Sequence, residues 1–246
     1  MSSSTVSFSI ASEAAWAPGV ETRDAWLAWA SNPFPIVGDG EPKVQAMAPM
    51  LRRRAGALGK MALEVSYQCI GERTDVPTLF CSRHGEVSRS VQMLIDLAQA
   101  VPLSPTSFGL SVHNAIGGLF SIARNARADN IGLAGGADTV EHGVIEACGL
   151  LADGAPAVLL VVYDYPLPQI YAAFRDEPEQ PYAWAWLMQA PSNDSLSLSW
   201  SAEDESDAAE SASLPAGLAV LRFQLLRQQE LQRHCGRRRW TWARHA

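Results

Sequence analysis

Ser111 and His113 stand two residues apart in SVHN, within the stretch LSPTSFGLSVHNAIGGLFSIA from Leu103 to Ala123. On an extended segment, residues i and i+2 share a face, so the imidazole could take the hydroxyl proton and leave a nucleophile. A working pair also needs a third group to orient the ring and donors for an oxyanion. Asn114 or Glu141 could be proposed for the first role, but the sequence has no GxSxG elbow. CSRHGE offers a second such combination in Ser82 and His84, with the same shortfall; hydroxyls in such loops more often bond the nearby backbone. GLAGGADT, Gly132 to Thr139, is a glycine-rich turn between a strand pattern and a helix pattern whose amides could cradle a phosphate. It lacks the GxGxxG spacing and a P-loop lysine, and Asp138 at the helix start would repel an anion, so Asp138 reads as an N-cap. Glu141 and His142 are adjacent on that helix, face different directions, and form no ready acid/base pair.

These groups are positioned by alternating strands and helices. TVSFSIA predicts a strand over Val6 to Ile10, broken by Pro18-Gly19, and Asp24 to Ala30 a short helix. From Pro49 to Gly71 the apolar spacing predicts one long core helix, entered by proline and left by glycine. VPTLFCS (Val76 to Ser82) is a strand feeding the helix of Val87 to Ala100. NIGLAG (Asn130 to Gly135) is a strand before the helix of Asp138 to Ala152, and AVLLVVYD (Ala157 to Asp164) reads as a buried strand. Such alternation favours a sheet with helices on both faces. AWAWLMQ and LSLSW alternate like half-exposed strands. Ser201 to Ser213 is too acidic to pack and reads as a mobile loop, and LPAGLAVLRFQLLRQQELQRH predicts an amphipathic helix. The closing CGRRRWTWARHA fits either a docking tail, with Arg237, Arg238 and Arg239 presented beside Trp240 and Trp242, or a tryptophan strand packed on the domain.

Composition narrows the function classes. With 246 residues, 48% hydrophobic and 18% charged, the chain can bury a large core and reads as one domain over 1–246. A net charge of -7 argues against a nucleic-acid surface, which needs clustered cations. Cys69, Cys81, Cys148 and Cys235 show no CxxC or Cys/His spacing, so reduced thiols are expected, with no metal site and no cofactor. The first residues lack a basic segment followed by an apolar one, and no run approaches the roughly 20 apolar residues of a membrane span, so a cytoplasmic protein is expected.

SPTSFGLSVHNAIGGLFSIA, the preceding FCSRHGEVSRSVQMLIDLA, the following GGADTVEHGVIEACGLLA and the strand AVLLVVYDYPLP together resemble the short β-ketoacyl synthase-like family of chain-length-factor-like proteins, found in bacterial aryl polyene and related polyketide or fatty-acid-like gene clusters. WAPG, Trp16 to Gly19, and the arginines before the core helix fit as well; SVHNAxxG and GxxEA are the most specific blocks. The resemblance implies an α/β fold: a thiolase-like α/β/α sandwich reduced to a single amino-terminal half, with a mixed five-stranded sheet. A full ketosynthase carries its nucleophilic cysteine at a tight strand-to-helix turn and takes two histidines from its second half. The matching turn here is Gly135, Gly136, Ala137 and Asp138, without a cysteine, and Cys148 lies about three turns into the helix. Condensation needs a thiolate to accept the acyl chain and groups that stabilise the carbanion and oxyanion, so no condensing activity is expected from this chain alone.

By the same likeness, Ser111, His113 and Asn114 belong to a structural loop flooring the pseudo-active site, and Gly117 and Gly118 let the next helix pack closely. The implied role is a non-catalytic subunit, a chain-length factor, that forms a heterodimer with a complete β-ketoacyl-ACP synthase, meets the acyl carrier protein indirectly, and shapes the elongation cavity. Ile131 to Ala134, the helix at 115–126 and the turn at 135–139 would form the seam, and Phe108, Leu110, Phe120, Ile131 and Leu133 are candidate tunnel or interface residues. The alternatives are a serine-dependent acyl-thioester hydrolase or acyltransferase using Ser111 and His113, and a purely structural stabiliser of the ketosynthase. Half of a thiolase fold should also leave a large apolar face uncovered, predicting poor behaviour of the isolated chain.

Overall fold

The computed structural model describes residues 4–202 and 213–245, so most of the acidic loop expected at 201–213 lies outside the described residues. In chain order the elements are β1 (Ser4–Trp16), α1 (Arg23–Ser31), α2 (Pro49–Arg52), α3 (Ala57–Ile70), β2 (Thr78–Cys81), α4 (Val87–Ala98), α5 (Pro105–Gly109), α6 (Ala115–Arg124), β3 (Asn130–Leu133), α7 (Thr139–Ala152), β4 (Val158–Asp164), β5 (Tyr182–Gln189), β6 (Ser195–Ala202), α8 (Ala216–Leu225), β7 (Glu230–Cys235) and β8 (Arg238–His245). A 3-10 turn, Gly136–Asp138, leads into α7.

The sheet has eight strands rather than five, in the order β3-β2-β4-β5-β1-β6-β8-β7. The expected mixed five-stranded sheet is its first part: β3, β2 and β4 run parallel, and β5 and β1 follow antiparallel. The extension comes from β1, which is 13 residues long and carries a register shift between Ile10 and Ser12. Its later half pairs with β5 and its earlier half with β6, so the antiparallel β6-β8-β7 continues the sheet. A bulge of this kind bends the strand and increases its twist.

Strands β4 and β5 are buried on both faces, which corrects the half-exposed reading of AWAWLMQ. One face, Leu159, Val161, Tyr163, Ala183 and Ala185, packs with Met61 and Val65 of α3 and Phe120 of α6. The other, Val158, Leu160, Val162, Trp184 and Trp186, packs with Trp26 and Trp29 of α1, Val144 of α7 and Phe223 of α8. The alternation in AWAWLMQ is thus of size rather than polarity: small side chains admit α3, large ones fill the far side. Truncating a buried aromatic of this kind to alanine costs about 3–5 kcal/mol.

Two predicted helices are broken. The expected Pro49–Gly71 helix divides at Arg53–Gly56, where Gly56 takes an extended conformation before α3. The expected carboxy-terminal helix ends at Leu225; Arg227 has φ 49° and the chain turns into β7. The closing residues form β8, so the tryptophan-strand alternative describes them, with Trp240 and Trp242 buried. Together α8 and the β7–β8 hairpin pack against α7. Among the described residues no helix is long and apolar enough to cross a membrane.

Candidate functional site

The parallel strands β3, β2 and β4 bring the loops at 82–86, 134–138 and 165–181 to one end of the sheet, the end at which open α/β folds place their sites. At the centre, β4 ends in the half-buried Asp164. Its Oδ1 accepts from the Ser82 hydroxyl (3.0 Å) and the Arg83 N–H (2.9 Å), and its Oδ2 from the Tyr182 hydroxyl (3.3 Å). Ser82 Oγ in turn accepts from the Gly85 N–H at 2.9 Å. The Arg83 guanidinium is tied to Glu177 at 2.8 Å and to Asp176.

Ser111 and His113 have different partners. The segment is not extended, because α5 and a following turn precede it. Ser111 donates to the Phe108 carbonyl of its own turn at 2.8 Å, while His113 Nε2 lies 2.8 Å from the Ser82 carbonyl. A carbonyl can only accept, so that bond places the ring proton on Nε2. The ring packs on Gly85, φ +56°, where a Cβ would fall 2.9 Å from His113 Cδ2, and Asn114 packs on Gly132. Gly117 is required by close approach, since a Cβ there would fall 2.3 Å from Asn130 Oδ1; Gly118 has nothing within 4 Å. Ser82 is part of the Asp164 network, and His84 lines the same small cleft as Asp164 and Arg83, its buried Nε2 without a hydrogen-bond partner among the described residues.

The glycine turn, Gly135, Gly136 and Ala137, is held by α7 and by the carboxy-terminal hairpin. Thr139 Oγ1 accepts from the Gly135 N–H (3.0 Å) and donates to the Gly136 carbonyl (2.6 Å). Asp138, expected as an N-cap, makes no capping bond; its carboxylate accepts from Trp240 Nε1 at 2.9 Å and pairs with Arg238 at 3.8 Å. Arg233 of β7 donates to the Ala137 carbonyl at 3.2 Å and pairs with the fully buried Glu141, which also accepts from Trp242 Nε1 at 3.3 Å. His142 meets Trp240 edge to face, ring centroids 5.7 Å apart. The sequence reading missed this clamp, although the period-two spacing of Trp240 and Trp242 pointed to a face turned inward.

None of the four cysteines lies in a setting that favours a thiolate. Burial pushes Cys69 up to about 11, and Cys148 and Cys235 up to about 12; Cys81, wholly buried near Asp164, is raised further. Of the candidate tunnel or interface residues, Phe108 is 62% exposed, and Leu110, Ile131 and Leu133 are half-buried, the last two on the sheet-edge strand β3. Phe120 is a core side chain between Phe80 (5.7 Å) and Tyr67 (5.1 Å). Helix α4 buries no residue at all. Leu94, Ile95 and Leu97 on it are exposed, as are Val101, Leu103 and Val112 beyond it.

The Asp164 network makes a pH prediction. Burial raises this carboxyl to about 6, against the lowering by the Arg83 N–H and guanidinium and by the Ser82 and Tyr182 hydroxyls. A raised native value means that the folded state holds the proton more tightly than the unfolded chain. The stability it adds is therefore complete below the ordinary aspartate range and is lost as pH rises through about 6, a difference of roughly 3 kcal/mol. Asp164→Asn keeps the shape without the charge. Thermal melts between pH 4 and 7 should be flatter for this variant than for the parent, and Asp164→Ala, which orphans three donors, should melt far lower throughout.

No curated protein matches the sequence. Among solved structures, a chain from "Ketosynthase (ApeO) in Complex with its Chain Length Factor (ApeC)" of Xenorhabdus doucetiae superposes with a TM-score of 0.84 at 27% identity, covering 97% of this chain and 99% of that one. "The ishigamide ketosynthase/chain length factor" gives 0.60 at 14% identity, covering 82% and 68%. Ketosynthase twelve of the bacillaene polyketide synthase of Bacillus amyloliquefaciens gives 0.55 at 12% identity, covering 83% of this chain and 46% of that one; at such identities the likeness is one of fold. Residues 26–243 match the family described as "Beta-ketoacyl synthase, N-terminal domain". The fold is thus the thiolase-like half of a ketosynthase, and the chain belongs to the β-ketoacyl synthase N-terminal domain family.

Proposed function

We propose that this chain is a non-catalytic ketosynthase-like subunit that pairs with a complete β-ketoacyl-ACP synthase and shapes the cavity in which that enzyme elongates its acyl chain. The observation that carries this reading is the exposed apolar surface of α4 and the segment after it, Leu94, Ile95, Leu97, Leu103 and Phe108, in a chain whose β3 ends the sheet unpaired on one side among the described residues. Soluble proteins seldom expose several large apolar side chains close together along the chain unless something docks on them, and an open strand edge offers backbone hydrogen bonds to a partner. The likeness to the ApeO–ApeC complex supports a ketosynthase as that partner.

The chemistry favours a subunit over an enzyme. The turn where a ketosynthase would hold its thiolate consists of Gly135, Gly136 and Ala137, Cys148 is buried in α7, and Ser111 and His113 are committed to different carbonyls. Length control would be steric, exerted by Phe108, Leu110, Ile131 and Leu133 at the shared seam, and the acyl carrier protein would be met through the ketosynthase. Co-expression with a ketosynthase encoded nearby, mass determination on the eluted species, and an elongation assay with and without this chain test the reading. The expected result is a one-to-one complex whose product length changes when Phe108 is replaced by alanine. A chain that stays alone and hydrolyses acyl thioesters unaided would overturn it.

A further inference from the structure

Lys43, Arg52, Arg53 and Lys60 line one groove of about 440 Å³, together with Pro42 and Gln45, where the segment before α2 runs beside the start of α3. Four cations converge there in a chain whose net charge is -7. Like charges brought together repel, so the convergence is unfavourable while no anion sits among them. One of the four is neutralised, because Lys60 pairs with Glu41. Arg52 is turned to the backbone: its guanidinium donates to the carbonyls of Lys43 at 3.1 Å and Val44 at 3.3 Å, which fixes its position and leaves its charge uncancelled. Lys43 and Arg53 are exposed and have no acidic partner among the described residues. Three positive charges are left over around the groove.

The backbone that carries Lys43 is strained. Val44 is buried and β-branched, yet its φ is 44°, in the left-handed region that such residues seldom enter. A clamp holds it there. The Val44 N–H donates to Glu64 of α3 at 2.8 Å, and its carbonyl accepts from Arg52 and from the Met47 N–H at 3.1 Å. Residues in such conformations persist only where their surroundings over-determine them, and they gather at ligand clamps. The consequence here is that Lys43 and Arg53 face one groove from two separate segments, with Arg52 bonded across to the strained turn.

We propose that this groove binds a small polyanion of the diphosphate kind, gripped by Arg53 and Lys43 with the fixed charge of Arg52 behind them. An arginine fork meets two phosphate oxygens at once, and a lysine ammonium adds a compact charge beside it. The groove's volume is that of a small-molecule site, and five of its six lining side chains other than proline are cationic or amide, which suits a charged ligand better than an acyl chain. A single carboxylate would leave most of the surplus charge unmatched, whereas phosphate groups concentrate charge in little space. A nucleic acid or an anionic membrane needs a broad basic face, and this cluster is one groove wide on an acidic chain. The site is separate from the glycine turn and stands whether or not a ketosynthase docks on α4.

The test is calorimetric titration of the full chain with inorganic pyrophosphate at low ionic strength, with acetate and hexaglutamate as comparators. A saturable isotherm for pyrophosphate that weakens as salt is added is expected, with weaker binding of both comparators. Lys43→Ala with Arg53→Ala removes two exposed side chains that bond nothing within the chain, so the variant should melt within a few degrees of the parent and bind pyrophosphate at least about tenfold more weakly. Lys43→Gln with Arg53→Gln carries the same test if the alanine pair does not fold. Arg127→Ala, an exposed cation between α6 and β3, should bind as the parent does. Absence of saturable binding at low ionic strength, undiminished binding by the folded double variant, equal binding of acetate, or loss of binding with Arg127→Ala would overturn the proposal. Tighter binding of hexaglutamate than of pyrophosphate would overturn it as well, by assigning the groove to an acidic protein segment.

Discussion

Aspartate at both Leu94 and Leu97 is expected to abolish co-elution with the ketosynthase while leaving the chain folded. The two leucines are 55% and 60% exposed, and α4 buries none of its residues, so neither side chain contributes appreciably to the core of its own chain. In the proposed complex the same side chains would be covered. Losing two buried leucines forfeits about 1.5–3 kcal/mol each, before counting the cost of drawing two carboxylates out of water. At 1.4 kcal/mol per factor of ten, affinity should fall by at least about a hundredfold. The melting temperature should stay within a few degrees of the parent, and Met50→Asp, a comparably exposed apolar residue on α2, should leave the complex intact. Were the double variant to co-elute unchanged, α4 would not be the docking face, and the β3 edge alone would have to carry the association.

How far the sequence revealed the fold depended on how local each signal was. Strands β2, β3 and β4 and helices α4 and α7 fall close to their expected places, because a buried strand is a continuous apolar run and an amphipathic helix repeats every 3.6 residues. The broken elements had no such local signal. RRRAG is compatible with a helix, and the position of α3 comes from tertiary packing: Gly59 lies against Ile116, and Met61 and Val65 join the core over β4 and β5. LQRH in β7 has good helix formers, and its strand conformation comes from pairing with β8. AWAWLMQ alternates as a strand should, but its burial on both faces depends on helices α3 and α8, remote in sequence.

The candidate site shows the same division. The glycine turn and the SVHN block could be recognised because each is contiguous. The contacts that define them could not: Asp164 meets Ser82 across 82 positions, and Arg233 meets Glu141 across 92. Ser111 and His113 invited a catalytic reading because they stand two residues apart; the carbonyls of Phe108 and Ser82, one in the local turn and one 31 positions away, give them separate tasks. Spacing along the chain restricts which residues can meet, but only the fold determines which do.

The second large effect is predicted at Arg233. Glu141 is fully buried and Arg233 is 12% exposed, so the pair is held out of water, and Trp242 Nε1 also donates to the carboxylate at 3.3 Å. Removing one member of such a pair leaves an uncompensated buried charge, and Arg233→Ala should cost about 3–5 kcal/mol in denaturant unfolding. Replacing both, as Arg233→Met with Glu141→Leu, should restore most of the loss, because the desolvation penalty of two charges disappears along with their attraction. The comparison separates stability from geometry. The double variant still lacks the bond from Arg233 to the Ala137 carbonyl, so a chain that recovers its unfolding energy but pairs more weakly with the ketosynthase would assign the clamp to holding the glycine turn in shape. Full recovery of both properties would make Arg233 and Glu141 a packing device between the hairpin and α7, with the turn shaped by the Thr139 bonds and the hold of Trp240 and Arg238 on Asp138.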